Sequence, residues 1–247
     1  VKSLKRKPGF SGFLFFILFL FSGGWAFSQV RPVKIYIDSG ILMARLGDLP
    51  AALKNLDKAV AIDPSSAEAW YNRGVVKYQM GDYAGAADDL GITVGLRKTH
   101  AEPYYYRAMA RDSLKDYENA INDYSRAIAL RADFVEAYHN KALDLMELGK
   151  YTEASMNFTR ALQYRPVFPE ALYNRGLCSF NSKLYEEAIR DFDAAIKLDS
   201  TDADYYASRA ASWASLGKFL LACPDWSRAT QLGNEQAAKY FQKHCGK

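Results

Sequence analysis

The chain has 247 residues, with 49% hydrophobic and 24% charged residues, and 32 Lys and Arg against 28 Asp and Glu. That composition is too apolar for a disordered chain and too charged for a polytopic membrane protein. The net charge of +4 sits at the front: Lys2, Lys5, Arg6 and Lys7 have no acid among residues 1–28, and the remainder balances, so composition implies no nucleic-acid-binding surface.

The first segment reads as an address. A short basic stretch, Lys2 to Lys7, precedes a nine-residue apolar run, Phe13 to Phe21. Ser22-Gly23-Gly24 breaks the run, and Ala26-Phe27-Ser28 places small residues where a peptidase would cut before Gln29. This is the layout of a secretory signal peptide over residues 1–28, followed by a linker at 29–32. There is no cysteine at the break for lipid attachment and no Arg-Arg pair for twin-arginine export. The alternative is an uncleaved anchor, since residues 10–30 carry no charge and are long enough to span a bilayer. A cut leader predicts a periplasmic or secreted chain; an anchor predicts one held on the inner membrane and facing the periplasm.

From Val33 onward the chain repeats every 34 residues without insertion or deletion. The blocks are 33–66, 67–100, 101–134, 135–168, 169–202 and 203–236, with residues 237–247 left over. Position 8 is always small: Gly40, Gly74, Ala108, Ala142, Gly176, Ala210. Position 20 is alanine in all six, from Ala52 to Ala222, and position 27 is Ala59, Thr93, Ala127, Ala161, Ala195, Ala229. Position 24 is large: Leu56, Leu90, Tyr124, Phe158, Phe192, Trp226. Bulky residues also fill position 4 (Tyr36, Trp70, Tyr104, Tyr138, Leu172, Tyr206) and position 17 (Leu49, Tyr83, Tyr117, Tyr151, Tyr185, Phe219). Spacings of three and four place each set on one helical face. Gly47, Gly81 and Gly149 are expected to end first helices, and Pro50, Pro103 and Pro169 to open helices. Each block thus predicts a helix–turn–helix of roughly 13 residues per helix. Pro224, about one turn into the last second helix, removes a backbone donor there.

These six in-phase blocks closely resemble the tetratricopeptide repeat family. The resemblance implies an all-α, right-handed α-solenoid in which first helices line a concave face and second helices form the convex back. Block one departs from it at Ser39 and Leu49, as an end repeat does.

Position 7 and position 23 vary together. Arg73 goes with Asp89, Arg107 with Asp123, Arg175 with Asp191 and Arg209 with Asp225; where position 7 is Ser39 or Lys141, position 23 is Asn55 or Asn157. Antiparallel helices bring the two positions face to face, which predicts structural ion pairs tying first helix to second. A catalytic role for these carboxylates is the alternative, but copies in four blocks favour structure.

Gly233-Asn234 closes the sixth block, and residues 236–244 predict a capping helix with Tyr240 and Phe241 turned inward. Cys223 and Cys245 lie equally far from Asn234 and come level across that turn. In an oxidising compartment they can form a disulfide; two free thiols are the other reading. Cys178 reads as a small core residue.

Chemistry is hard to find. His100, His139 and His244 fall in different blocks without metal-ligand spacing, so neither a metal nor a cofactor is expected. No nucleophile elbow, P-loop or dinucleotide fingerprint is present. In the family, positions 2, 5, 9 and 12 of first helices line the groove. Carried over, these are an acidic row (Glu68, Glu102, Glu136, Glu170) and an apolar, aromatic floor of Tyr71, Tyr78, Tyr105, Met109, His139, Leu143, Tyr173 and Phe180. The Lys and Asn by which some family members clamp acidic tails are missing at positions 5 and 9. The expectation is a non-enzymatic adaptor of the bacterial envelope that binds a protein or peptide carrying basic and aromatic or apolar anchors. A self-assembling structural module is the runner-up, and an envelope hydrolase a distant third.

Overall fold

The computed structural model describes residues 32–246. The leader or anchor reading of residues 1–28 lies outside the described residues, while Pro32, read as linker, already opens the first helix. The first repeat pairs α1 (Pro32–Arg45) with α2 (Leu49–Ile62), the second α3 (Ala67–Gln79) with α4 (Tyr83–Leu96), and the third α5 (Ala101–Ser113) with α6 (Tyr117–Leu130). Then come α7 (Val135–Glu147) with α8 (Tyr151–Tyr164), α9 (Pro169–Asn181) with α10 (Tyr185–Leu198), and α11 (Ala203–Ser215) with α12 (Phe219–Gln231). A single helix, α13 (Glu235–Cys245), closes the series, and no strand occurs among the described residues.

Each helix packs on the next, and first helices also touch the first helices of adjacent repeats, whereas second helices make no comparable contact with one another. The layer of first helices is therefore the short inner wall of an α-solenoid, and the second helices form its longer outer wall. Close approach within a repeat rests on position 8 against position 24. A methyl group on Gly40 would lie 2.6 Å from Leu56 Cγ, one on Gly74 2.8 Å from Leu90 Cγ, and one on Gly176 2.6 Å from Phe192 Cε1. The alanines at position 20 are fully buried, as are the rings of Tyr124, Phe158 and Phe192 at position 24. Burying such rings removes roughly 150–250 Å² each from water, the main favourable term in each repeat.

The turn between the two helices needs a left-handed residue at position 15. Gly47, Gly81, Gly149 and Gly217 take φ between 70° and 83°, with open space where a Cβ would stand. In the third and fifth repeats the same conformation is forced on Lys115 (φ 60°) and Lys183 (φ 62°). Short polar caps then start the following helices: the Asp48, Asp82 and Asn234 side chains accept hydrogen bonds from the amides of Ala51, Gly85 and Ala237. Helix α12 continues through Pro224 on its exposed side, where water can serve the carbonyl left without a partner.

The arginine column is a hub. Arg73 Nε and Nη2 donate to both oxygens of Asp89 at 2.7 and 2.8 Å. Arg107 meets Asp123, Arg175 meets Asp191 and Arg209 meets Asp225 in the same two-pronged way. The remaining nitrogen reaches back to the preceding repeat: Arg73 Nη1 to Asp57 (2.8 Å), Arg175 Nη1 to Thr159 (3.2 Å), and Arg209 Nη1 to Asp193. The ring at position 4 lies under the guanidinium, with Trp70 4.6 Å from Arg73 and Tyr104 5.7 Å from Arg107. Position 4 thus packs against the core and, where it is aromatic, also supports the arginine.

At the far end Cys223 and Cys245 are joined, with Cα atoms 5.7 Å apart, and pin α13 to α12. Phe241 is half-buried against the Trp226 cluster, but Tyr240 is not turned inward: it lies exposed along the outside, stacked on Trp226 at 5.6 Å. Cys178 is free and buried.

Two predictions follow from these local features. Lys115→Gly or Lys183→Gly should raise the urea-unfolding free energy by roughly 0.5–1 kcal/mol, because the left-handed penalty exceeds the added chain entropy of glycine. Asp123→Ala should cost about 3–5 kcal/mol by stranding Arg107 and Arg111, whereas Arg107→Leu combined with Asp123→Leu costs much less in the same assay.

Candidate functional site

The first helices present positions 2, 5, 9 and 12 toward the inner wall. At position 9, Val75, Met109, Leu143 and Leu177 are all half-buried, giving a continuous apolar strip. At position 12, Tyr78 rests on Tyr83 (5.4 Å) and Phe180 on Tyr185 (5.5 Å), so each ring is braced within its repeat and stays half-buried.

The rings at position 5 do a second job: they wedge between repeats. Tyr105 packs on Phe134 at 4.6 Å, and its hydroxyl accepts a hydrogen bond from Asn140 of the next repeat. Tyr173 packs on Tyr205 at 4.9 Å and accepts from the Ser208 hydroxyl. His139 sits between Phe158 and Phe168, and its buried Nε2 has no hydrogen-bond partner. Burial pushes the Tyr105 hydroxyl up to about 12 and the His139 imidazole below its ordinary value, which keeps both neutral at pH 7.

The acidic row is not a bare lip. Glu102 is held by Arg131 at 2.9 Å and Glu136 by Arg165; Glu68 lies 3.8 Å from Lys34, and Asp204 accepts from Asn234. Among the described residues Glu170 stands without an ion pair. The cause is a column the sequence reading passed over. Position 31 carries Arg97, Arg131 and Arg165, and position 34 carries His100, Phe134 and Phe168. Arg131 lies 3.3 Å over Phe134 and Arg165 5.0 Å over Phe168 while each holds its glutamate. Comparing those two columns across blocks would have shown the pairing.

A second feature missed from sequence lies mid-groove. From the second repeat on, position 10 is a core position, occupied by buried Val76, Ala110, Cys178 and Ser212, yet in the fourth repeat it is Asp144, 2% exposed. Across the joint, position 12 of the third repeat is Asp112, whose carboxyl faces that of Asp144. The groups facing the pair are Glu147 on α7 and Tyr117 and Tyr124 on α6, with no cation among them. Burial first, then the Asp112 charge, pushes the Asp144 carboxyl up to about 8. The Tyr124 hydroxyl is buried beside it without another partner.

The sign of the resulting pH dependence is fixed. A carboxyl near 4 when unfolded and higher when folded contributes stability that is complete below about pH 4 and is lost as pH rises toward 8. Chemical denaturation at stepped pH should show the midpoint falling over that window. Asp144→Asn should flatten the fall and leave the chain more stable than the parent at pH 8.

Among the described residues no cluster of three or more His, Cys, Asp or Glu is placed to hold a metal ion, and no helix is long and apolar enough to cross a membrane. Comparison with known proteins supplies the lineage. A sequence profile described as "TPR repeat" matches residues 43–81 and 113–143, and one described as "Tetratricopeptide repeat" matches residues 139–203, together more than half of the chain. No curated protein matches significantly. Among solved structures, a MamA protein is 27% identical with a TM-score of 0.66, covering 71% of this chain and 96% of its own. A tetratricopeptide repeat protein from Parabacteroides merdae superposes with a TM-score of 0.70 at 19% identity, covering 87% of this chain and 89% of its own. YrrB, described as a TPR protein with an unusual peptide-binding site, gives 0.64 at 24% identity, covering 70% of this chain and 89% of its own. With six helix pairs in strict register and these matches, the chain belongs to the tetratricopeptide repeat family.

Proposed function

We propose that this protein is a non-enzymatic adaptor that takes a segment of a partner protein into the concave groove of its repeats at 33–236. The observation that carries the reading is the half-buried apolar row at position 9, Val75, Met109, Leu143 and Leu177, flanked at position 12 by Tyr78 and Phe180. A wall of this kind buries apolar and aromatic side chains of a ligand. The peptide-binding site described for the structurally similar YrrB fits the same reading. The partner's anchors are chiefly apolar or aromatic, because arginines already hold Glu102 and Glu136; a basic side chain would be met by Glu170, beside Tyr173. Work in the bacterial envelope is supported by the leader-like residues 1–28 and by the Cys223–Cys245 disulfide, a bond that persists in oxidising compartments.

One observation favours self-association as a second reading. Leu220 is 90% exposed beside Phe219, Leu221 and Pro224, where other repeats carry polar or small residues such as Glu118, Glu186 and Glu187. A contiguous apolar patch of that kind suits contact between copies.

One experiment separates the two. In a pull-down from envelope extract, Tyr78→Ala, Met109→Ala and Phe180→Ala combined should cut partner capture by about tenfold or more, with helicity and solution mass unchanged. If capture survives and only Leu220→Glu alters the mass, the groove reading falls and self-assembly replaces it.

A further inference from the structure

The joint between the second and third repeats lacks a part that the next two joints possess. In the third repeat, Phe134 lies against Tyr105 at 4.6 Å and under Arg131 at 3.3 Å, and Arg131 holds Glu102. In the fourth repeat, Phe168 lies against His139 at 4.8 Å and under Arg165 at 5.0 Å, and Arg165 holds Glu136. One period earlier the same four positions are Tyr71, Arg97, His100 and Glu68. The place of the phenylalanine is taken by His100, which is exposed and turned to the Thr99 hydroxyl. Among the described residues Arg97 forms no ion pair, so the Arg–Glu link of the two later repeats is absent here as well. What remains is a cleft of about 170 Å³ lined by Tyr71, Thr93, Arg97, His100 and Pro103, together with Glu68 and Glu102. Its exposed lining is mainly apolar. A space of roughly 150 Å³ holds one benzene ring.

We propose that this cleft is a specificity subsite that receives an aromatic side chain of the bound partner segment. The ring takes the place that Phe134 and Phe168 hold one and two repeats further on. It lies against Tyr71 on one side and under the Arg97 guanidinium on the other, and ordering Arg97 lets it close onto Glu68. The chain shows twice, with its own side chains, the arrangement the ligand completes. An aliphatic side chain fills part of the space but offers no face to the guanidinium, so the site selects aromatic over aliphatic anchors. The subsite rests on the groove reading above, and it names which joint reads the anchor and what that anchor is.

The test uses the full chain and N-acetyl-phenylalaninamide as probe, followed by amide chemical shifts. Saturable shifts are expected at Tyr71, Thr93 and Ala101, with N-acetyl-alaninamide producing none. Arg97→Ala should weaken the probe several-fold. His100→Phe supplies the missing ring from within: it should weaken the probe by roughly tenfold or more and raise the melting temperature. It should also reduce partner capture while leaving Tyr78, Met109 and Phe180 untouched. Shifts spread evenly along the inner wall, or a probe affinity indifferent to His100→Phe, would overturn the subsite. If partner capture is lost on changing Tyr78, Met109 and Phe180 but not on His100→Phe, the subsite fails and the groove reading stands. If the probe binds as stated and neither change affects capture, both fail as descriptions of partner docking.

Discussion

Every other feature of this molecule depends on how closely two helices can approach at one point in each repeat. A glycine or alanine at position 8 meets a leucine or aromatic ring at position 24, and at three of the six sites not even a methyl group could be added without movement. That contact sets the distance between the helices, and the buried alanine at position 20 keeps their surfaces flush. Because the same contact recurs at a constant 34-residue interval, each pair meets the next in the same way, and a curved stack results without any long-range pairing.

Close packing alone would leave the repeats free to slide, since alanine faces are smooth. The arginine at position 7 counters this. In the second and sixth repeats its planar group satisfies an aspartate within the repeat and one of the repeat before, while an aromatic ring lies beneath it. A planar, multiply donating cation can serve three partners at fixed angles, which a flexible ammonium cannot. The fourth repeat, with Lys141 and Asn157, lacks this hub. The neighbouring joint also carries Asp112 and Asp144, where burial and the Asp112 charge raise the Asp144 carboxyl.

The inner wall divides its labour by position. Rings at position 5 are largely committed to holding repeats together, whereas positions 9 and 12 keep apolar surface in reserve. Half of the acidic row, Glu102 and Glu136, is spent on arginines from the ends of the second helices. Recognition therefore rests less on charge than on shape, and most on places where the internal pattern is interrupted.

The sequence alone determined the period, the all-helical class, the helix pairs and the facing Arg and Asp, because these follow from spacings within one block and from which residues vary together. It also placed Cys223 level with Cys245, since both lie at equal distance from one turn. Tertiary structure decided the rest. That Arg73 reaches Asp57, that Arg131 neutralises Glu102, that Asp144 faces Asp112 and that Tyr105 is a wedge are all contacts between side chains of different elements or repeats. Their reach and direction depend on the angle at which one block stacks on the next, and that angle is the sum of many small packing contacts that no single column of residues encodes.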